Sequence, residues 1–189
     1  MSDVLLDIMA KVKGHISFDE LELLFAMASE CPSGSNIVEL GSYRARSTCA
    51  LALGAKELGA VVWAVDHHPT YEIGGTQYSM EDNQAYYANL ANYGVGDVVK
   101  TINLPANHVW SVWLDDIALL FIDGLHEYEA VHRDFHLWST FVRGSGLVAM
   151  HDTAFDYHPG VTKLLNEVLA EGEWAVVKVV DSISVLKRV

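Results

Sequence analysis

A chain of 189 residues, 51% of them apolar, carries enough hydrophobic material for one core, and the usual size of roughly 100–200 residues per domain predicts a single domain over 1–189. The formal net charge of −13 excludes a surface that tracks phosphate backbones, so no nucleic acid is expected as a partner. The opening "MSDVLLDIMAKVKG" lacks the basic start and cleavage site of an export signal, and no run reaches the roughly 18 apolar residues of a membrane span; no membrane partner and a cytoplasmic location are therefore expected.

After a short N-terminal helical segment, "SFDELELLFAMASEC" places Ser17 as N-cap and Glu20 three residues on, a capping box opening an amphipathic helix that ends near Pro32. "NIVEL" reads as a strand, "RSTCALALGAKELG" as a helix closed by Gly59, and "AVVWAVD" as a strand buried on both faces. A loop over His67 to Met80 follows, then a helix across "EDNQAYYANLANYG", a strand at "DVVKTIN" and a short helix or turn at "ANHVWSVW". A strand at "IALLFID", a helix across "YEAVHRDFHLWSTFV" and a strand at "GLVAMHD" continue the alternation, which predicts a doubly wound α/β sheet with parallel strands. Beyond the helix "VTKLLNEVLAEG", only Asp181 and Ser182 separate "WAVVKVV" from "ISVLKRV"; that gap fits a hairpin and no helical crossover, so the C-terminal strand is expected to be antiparallel. Cys31 and Cys49 are too few for a disulfide framework or a thiolate metal cluster and are read as free thiols without a role.

In such sheets a ligand sits beyond the carboxyl ends of the strands, where strand order reverses. The polar residues there are Glu39, Gly41, Ser42 and Tyr43 after the first strand and Asp66, His67 and His68 after the second. Asp123 and His126 follow the fourth, and His151 and Asp152 the fifth. Gly41 permits a tight turn, and a helix starting near Arg46 aims unpaired N–H groups at a carboxylate or phosphate. Asp66 stands about twenty-five residues after that glycine, where an acid binds ribose hydroxyls. The pattern serves NAD, FAD and S-adenosylmethionine alike, and an ordinary tight βα turn also accounts for it.

"VELGSYRARST", "AVDHH", "LLFIDGLHEYEAVHRDFHLW" and "GLVAMHDT", in this order, resemble the class I S-adenosylmethionine-dependent methyltransferases of methyltransferase family 24, a group similar to macrolide-sugar O-methyltransferases and cephalosporin-hydroxylase-like proteins. Where family members usually carry glycine, this chain has Ala45. The resemblance implies a Rossmann-like sheet and a cofactor site in which Glu39 lies near the amino-acid end, Ser47 and the backbone at Ser42 and Tyr43 bind the carboxylate, and Asp66 binds the ribose. Beside this stand plainer readings: Glu39 as a solvent-facing strand-end acid, and Ser47 bonding its own helix. Leu104, Pro105 and Ala106 are expected to wall the adenine, and His67 or His68 to reach the ribose or adenine edge or simply to lie on a loop surface. Tyr71, Tyr78, Gly74 and Gly75 mark the loop as a lid that selects the acceptor. His132 and His136, four apart on a helix, are read as an exposed polar face.

Asp123 and Asp152 close strands that converge at one rim, and related metal-dependent methyltransferases place acidic ligands at these two ends. With His151 they form the expected site for a divalent metal, Mg, Mn, Fe or Zn, while His126 is the expected general base. An Asp capping a turn beside a His bonded to a carbonyl is the competing reading. The expected reaction is methyl transfer to a hydroxyl of a small-molecule acceptor, a sugar or other polyol. A metal-dependent hydrolase or hydroxylase-like protein and a catalytically silent cofactor-binding subunit are the alternatives, and a homo-oligomer is left open.

Overall fold

The computed structural model describes residues 2–68, 72–73, 76–154 and 158–189. Helices α1 (Ser2–Lys11) and α2 (Phe18–Ser29) precede the first strand. The capping box of α2 is formed: Glu20 N–H donates to Ser17 Oγ (3.2 Å), and Ser17 N–H donates back to Glu20 Oε2 (2.8 Å). Strand β1 (Asn36–Leu40) leads into α3 (Arg46–Ala55), which tightens into a 3-10 turn (Lys56–Leu58) and stops at Gly59 in the left-handed region. Then come β2 (Val61–Val65), a two-residue ribbon pairing Glu72–Ile73 with Thr76–Gln77, α4 (Met80–Asn92), β3 (Val99–Ile102) and α5 (Ala106–Trp110). The chain closes with β4 (Ile117–Ile122), α6 (Tyr128–Trp138), a 3-10 turn (Ser139–Phe141), β5 (Val142–Met150), α7 (Pro159–Glu171), β6 (Trp174–Val180) and β7 (Ile183–Arg188).

The seven strands lie in the order β3-β2-β1-β4-β5-β7-β6. Neighbours among β1 to β5 pair in parallel, and β7 runs antiparallel to both β5 and β6. The expected hairpin is therefore present, with its returning strand inserted beside β5 and β6 left at the edge. Strand β5 begins earlier than "GLVAMHD": Val142 pairs with Ile117, the register then jumps to Leu147 opposite Leu119, and Gly144 at φ +59 carries the bend.

Alternation along each strand feeds two cores. Ile37 of β1 packs with α1, α2 and α3, whereas Val38 and Leu40 pack against the cluster built by α5, α6 and α7. The chain leaves β1 toward β2 and β3, then crosses back to β4 on the other flank, so the switch in strand order lies between β1 and β4. Backbone bonds continue past the strand ends. Gly41 N–H reaches Val65 O, Asp123 N–H reaches Leu40 O, and His151 N–H reaches Ile122 O, which sets the polar residues after β1, β4 and β5 at one level. Among the described residues, no helix is long and apolar enough to cross a membrane.

Candidate active site

A cavity of about 960 Å³ opens at this rim, within the roughly 300–1,000 Å³ usual for small-molecule sites. Gly41, at φ +89, lies so close to β4 that a Cβ would run into the carbonyl of Asp123. The turn after it is held from below: Asp66 Oδ2 accepts the N–H groups of Ser42 (2.9 Å) and Tyr43 (3.1 Å), and Oδ1 accepts that of His68 (2.9 Å). This corrects the expectation that the Ser42 and Tyr43 amides bind a cofactor carboxylate, because both are already given to Asp66. Asp66, Ser42, Tyr43, Ser47 and His67 nonetheless stand in the cavity wall. Tyr43 and Ala45 take left-handed backbone, at φ +45 and +68. Ala45 holds this conformation with a methyl group that is fully buried, at a strain of about 1–2 kcal/mol.

Glu39 departs from its expected role. The pleat puts it on the same face as Ile37, toward α3, where it is 0% exposed and accepts the Thr48 hydroxyl, with the Ser47 hydroxyl also in bonding reach. It does not line the cavity. Burial pushes its carboxyl up to about 8, against the pull of those two hydroxyls and with help from the charges of Asp123 and Asp66. Pro105 and Ala106 line the cavity, whereas Leu104 is half exposed and does not line it. His68 is interior rather than on a loop surface: its Nδ1 lies 3.1 Å from Asn103 Oδ1 and its ring packs on Tyr86. Of the expected lid, Tyr71, Gly74 and Gly75 lie outside the described residues; Tyr78 stands in the wall, edge-on to Tyr43. His132 and His136 pair with each other on α6, away from the cavity.

Asp123, His126, His151 and Asp152 converge, one ligand atom from each lying within 4.8 Å of the others. Asp152 sits at φ +60, a strained conformation that turns its carboxylate back into the cluster. His126 Nε2 is 2.7 Å from Asp152 Oδ2, and His151 Nδ1 is 3.0 Å from Asp152 Oδ2 and 3.1 Å from Asp123 Oδ1. Distances this short satisfy an ion pair, yet neither ring nitrogen has an aligned hydrogen bond. Nitrogen and oxygen atoms that crowd without bonding direction, beside two carboxylates, fit a divalent cation held among them. Burial works against a charged His126, but the close carboxylate of Asp152 and the charge of Asp123 outweigh it and raise its pKa. Burial likewise opposes charge on His151, and Asp123, Asp152 and Glu20 overcome it and raise its pKa; a divalent ion at Nδ1 would take the place of that proton.

The methyltransferase-domain family, family 24, matches residues 38–153, more than half of the chain. The chain belongs to this methyltransferase family. Among solved structures, this methyltransferase is similar to the S-adenosylhomocysteine-bound PaMTH1 of Podospora anserina: TM-score 0.74, 15% identity, covering 99% of this chain and 88% of that one. It is also similar to the O-methyltransferase TomG of Streptomyces achromogenes, solved with S-adenosylmethionine (0.68, 14%, 92% and 81%). A third is the O-methyltransferase of Bacillus cereus, solved with S-adenosylhomocysteine (0.68, 15%, 99% and 90%). At these identities the likeness concerns the fold, which is that of the class I methyltransferases, as the hairpin-terminated sheet leads one to expect.

Two further walls of the methyltransferase's cavity escape a reading of strand ends. Lys13, Gly14, His15, Ile16, Ser17 and Glu20 form one, and Asp181 with Ser182, from the hairpin turn, form another. Arg46 fastens the first wall, donating Nε–H to Val12 O (2.7 Å) and Nη1–H to Ile16 O (3.0 Å).

Proposed function

We propose that the methyltransferase moves the methyl group of S-adenosylmethionine to a hydroxyl of a small acceptor, a sugar or other polyol, with His126 as general base and a divalent metal held by Asp123, His151 and Asp152. The observation that carries this reading is the meeting of the Gly41–Asp66 cradle with the two-Asp, two-His cluster in one cavity at the switch point. The cofactor would supply a methyl carried on a cationic sulfur. The wall suits a cation, since Asp66, Asp123 and Asp152 all face the cavity. Asp66 keeps acceptor capacity at Oδ1, which takes one N–H among the described residues, and that oxygen is assigned to the ribose. The backbone N–H of Ser47, in the first turn of α3, is assigned to the cofactor carboxylate, its hydroxyl lying within reach of Glu39.

A divalent ion between Asp123 and Asp152 would lower the pKa of an acceptor hydroxyl. His126 is the more accessible of the two cluster histidines, its side chain 37% exposed against 5% for His151, so His126 is assigned to take the acceptor's proton and His151 to hold metal. Asp152, 2.7 Å away, stabilises the imidazolium formed. His158 stacks on His126 with ring centroids 4.0 Å apart and fixes its plane.

Calorimetry with S-adenosylmethionine on wild type and Asp66→Ala tests the cradle. Loss of a hydrogen bond to a charged group weakens binding by about 1.5–3 kcal/mol, and an unchanged Kd removes the ribose assignment. Once a mass-spectrometric screen identifies an acceptor, single-turnover methylation by wild type, His126→Ala and Asp152→Ala with and without chelator tests the chemistry. Full activity of His126→Ala removes the base; indifference to chelator together with an active Asp152→Ala removes the metal.

A further inference from the structure

The capping-box acid of α2 does more than cap a helix. Glu20 is 2% exposed, and both its carboxylate oxygens are engaged. Oε1 accepts the N–H (2.9 Å) and the hydroxyl (2.6 Å) of Ser182 in the β6–β7 turn; Oε2 accepts the Ser17 N–H (2.8 Å) and lies 3.4 Å from His151 Nε2. Two backbone segments from opposite ends of the chain therefore pin one carboxylate behind the ring of His151. The turn is tied in turn to the end of β5, because Thr153 donates both N–H (2.9 Å) and hydroxyl (2.8 Å) to Ser182 O. His151 is 5% exposed, and its other nitrogen, Nδ1, faces Asp123 and Asp152 without an aligned partner.

We propose that Glu20 is a positioning residue which, by accepting the Nε2–H of His151, keeps the Nδ1 lone pair turned into the Asp123–Asp152 pair and so gives the cluster a nitrogen ligand suited to Mn²⁺, Fe²⁺, Co²⁺ or Zn²⁺ over Mg²⁺. The inference rests on the metal reading above. Its physics is general: a ligating imidazole hands its second N–H to a carboxylate, which fixes the tautomer and ring orientation and raises ligand basicity. Without Glu20 the ring is free to turn over or take the other tautomer, and the site keeps only oxygen donors of fixed direction. Imidazole nitrogen binds first-row transition ions well, while Mg²⁺ favours oxygen.

The experiment is calorimetric titration of the whole chain with Co²⁺ and with Mg²⁺, with the visible absorption of bound Co²⁺ as a second readout of its ligands. Wild type is expected to prefer Co²⁺, and Glu20→Gln to lose 10- to 100-fold in Co²⁺ affinity, the usual effect of removing such a partner, with a changed Co²⁺ spectrum. Ser17→Ala controls for the capping box: it removes the hydroxyl that caps Glu20 N–H and donates to Asp181 Oδ2 (2.6 Å), while leaving the carboxylate behind His151, and should keep wild-type Co²⁺ affinity. Glu20→Asp keeps the charge but draws the carboxylate back from the ring by one methylene and should likewise lower Co²⁺ affinity; this comparison serves even if Glu20→Gln proves too unstable to titrate, and unchanged Co²⁺ binding by Glu20→Asp would count against the positioning role. Wild type that binds neither ion overturns the metal reading itself. Wild type that binds Co²⁺ with Glu20→Gln binding equally well, or Ser17→Ala losing as much, overturns the role of Glu20 alone.

Discussion

Replacing Glu39 by Gln should raise stability relative to wild type progressively as pH rises. The carboxyl is fully buried against α3 and stands at about 8, up from 4.5 in an exposed chain. Below about pH 4.5 it is protonated in the folded and unfolded states and contributes nothing to their difference. Between the two values the unfolded chain ionises while the folded one holds its proton, so stability falls as pH rises, by about 1.4 kcal/mol per pH unit. From 4.5 the loss reaches about 3 kcal/mol at pH 7 and levels off near 5 kcal/mol above pH 8. Gln keeps the shape and an acceptor for Thr48 but does not titrate, and every other group titrates alike in the two proteins. Urea unfolding at pH 5, 7 and 8.5 and constant ionic strength therefore reads the term as the change in the gap between variant and wild type. A gap constant to within about 0.5 kcal/mol across that range would refute the buried, protonated Glu39. It would leave an ionised Glu39 held by Thr48 and Ser47.

Gly41→Ala should cost about 2–5 kcal/mol, the sum of left-handed strain and overpacking against the Asp123 carbonyl; thermal melts check it, and a loss below 1 kcal/mol would show that β1 and β4 separate easily. Because Asp123 belongs to the cluster, the same variant should weaken metal binding, read by calorimetry. Arg46→Ala removes two charged hydrogen bonds to Val12 and Ile16 and should cost about 1.5–3 kcal/mol while opening residues 2–16 to limited proteolysis; an unchanged cleavage pattern would mean that the wall stands without the clamp.

Much of this architecture is legible in the sequence because its signals are local. The β-branched runs, the caps at Ser17 and Gly59 and the two-residue gap at Asp181 and Ser182 each specify an element from its own neighbourhood. The acids at the strand ends are legible for the same reason, since a parallel sheet brings all carboxyl ends to one rim. Glu39 is harder. A charged residue near a strand end reads as solvent-facing or ligand-facing until the alternation is counted. Ile37 and Glu39 then share the face toward α3, whose first turn carries the Ser47 and Thr48 hydroxyls that receive the carboxylate.

Glu20 shows where local reading stops. Its capping-box spacing accounts for it fully at short range, and nothing in a window of that size points to Ser182, 162 residues away, or to His151. A cue is nonetheless present on the helix itself. Leu23 and Leu24, three and four residues on, are both buried, so helical spacing places Glu20 on the same stripe that α2 turns to the core. A cap alone accepts one backbone N–H and is content at the surface; an ionised acid carried into the core must find cations and donors enough to offset its desolvation. Glu20 accepts from Ser17 and Ser182 and lies 3.4 Å from His151 Nε2, and although burial opposes ionisation, those partners hold its carboxyl down at about 2. A capping-box acid on the apolar stripe of its own helix therefore implies a polar site directly behind it, and in this chain that site is the cluster at the end of β5.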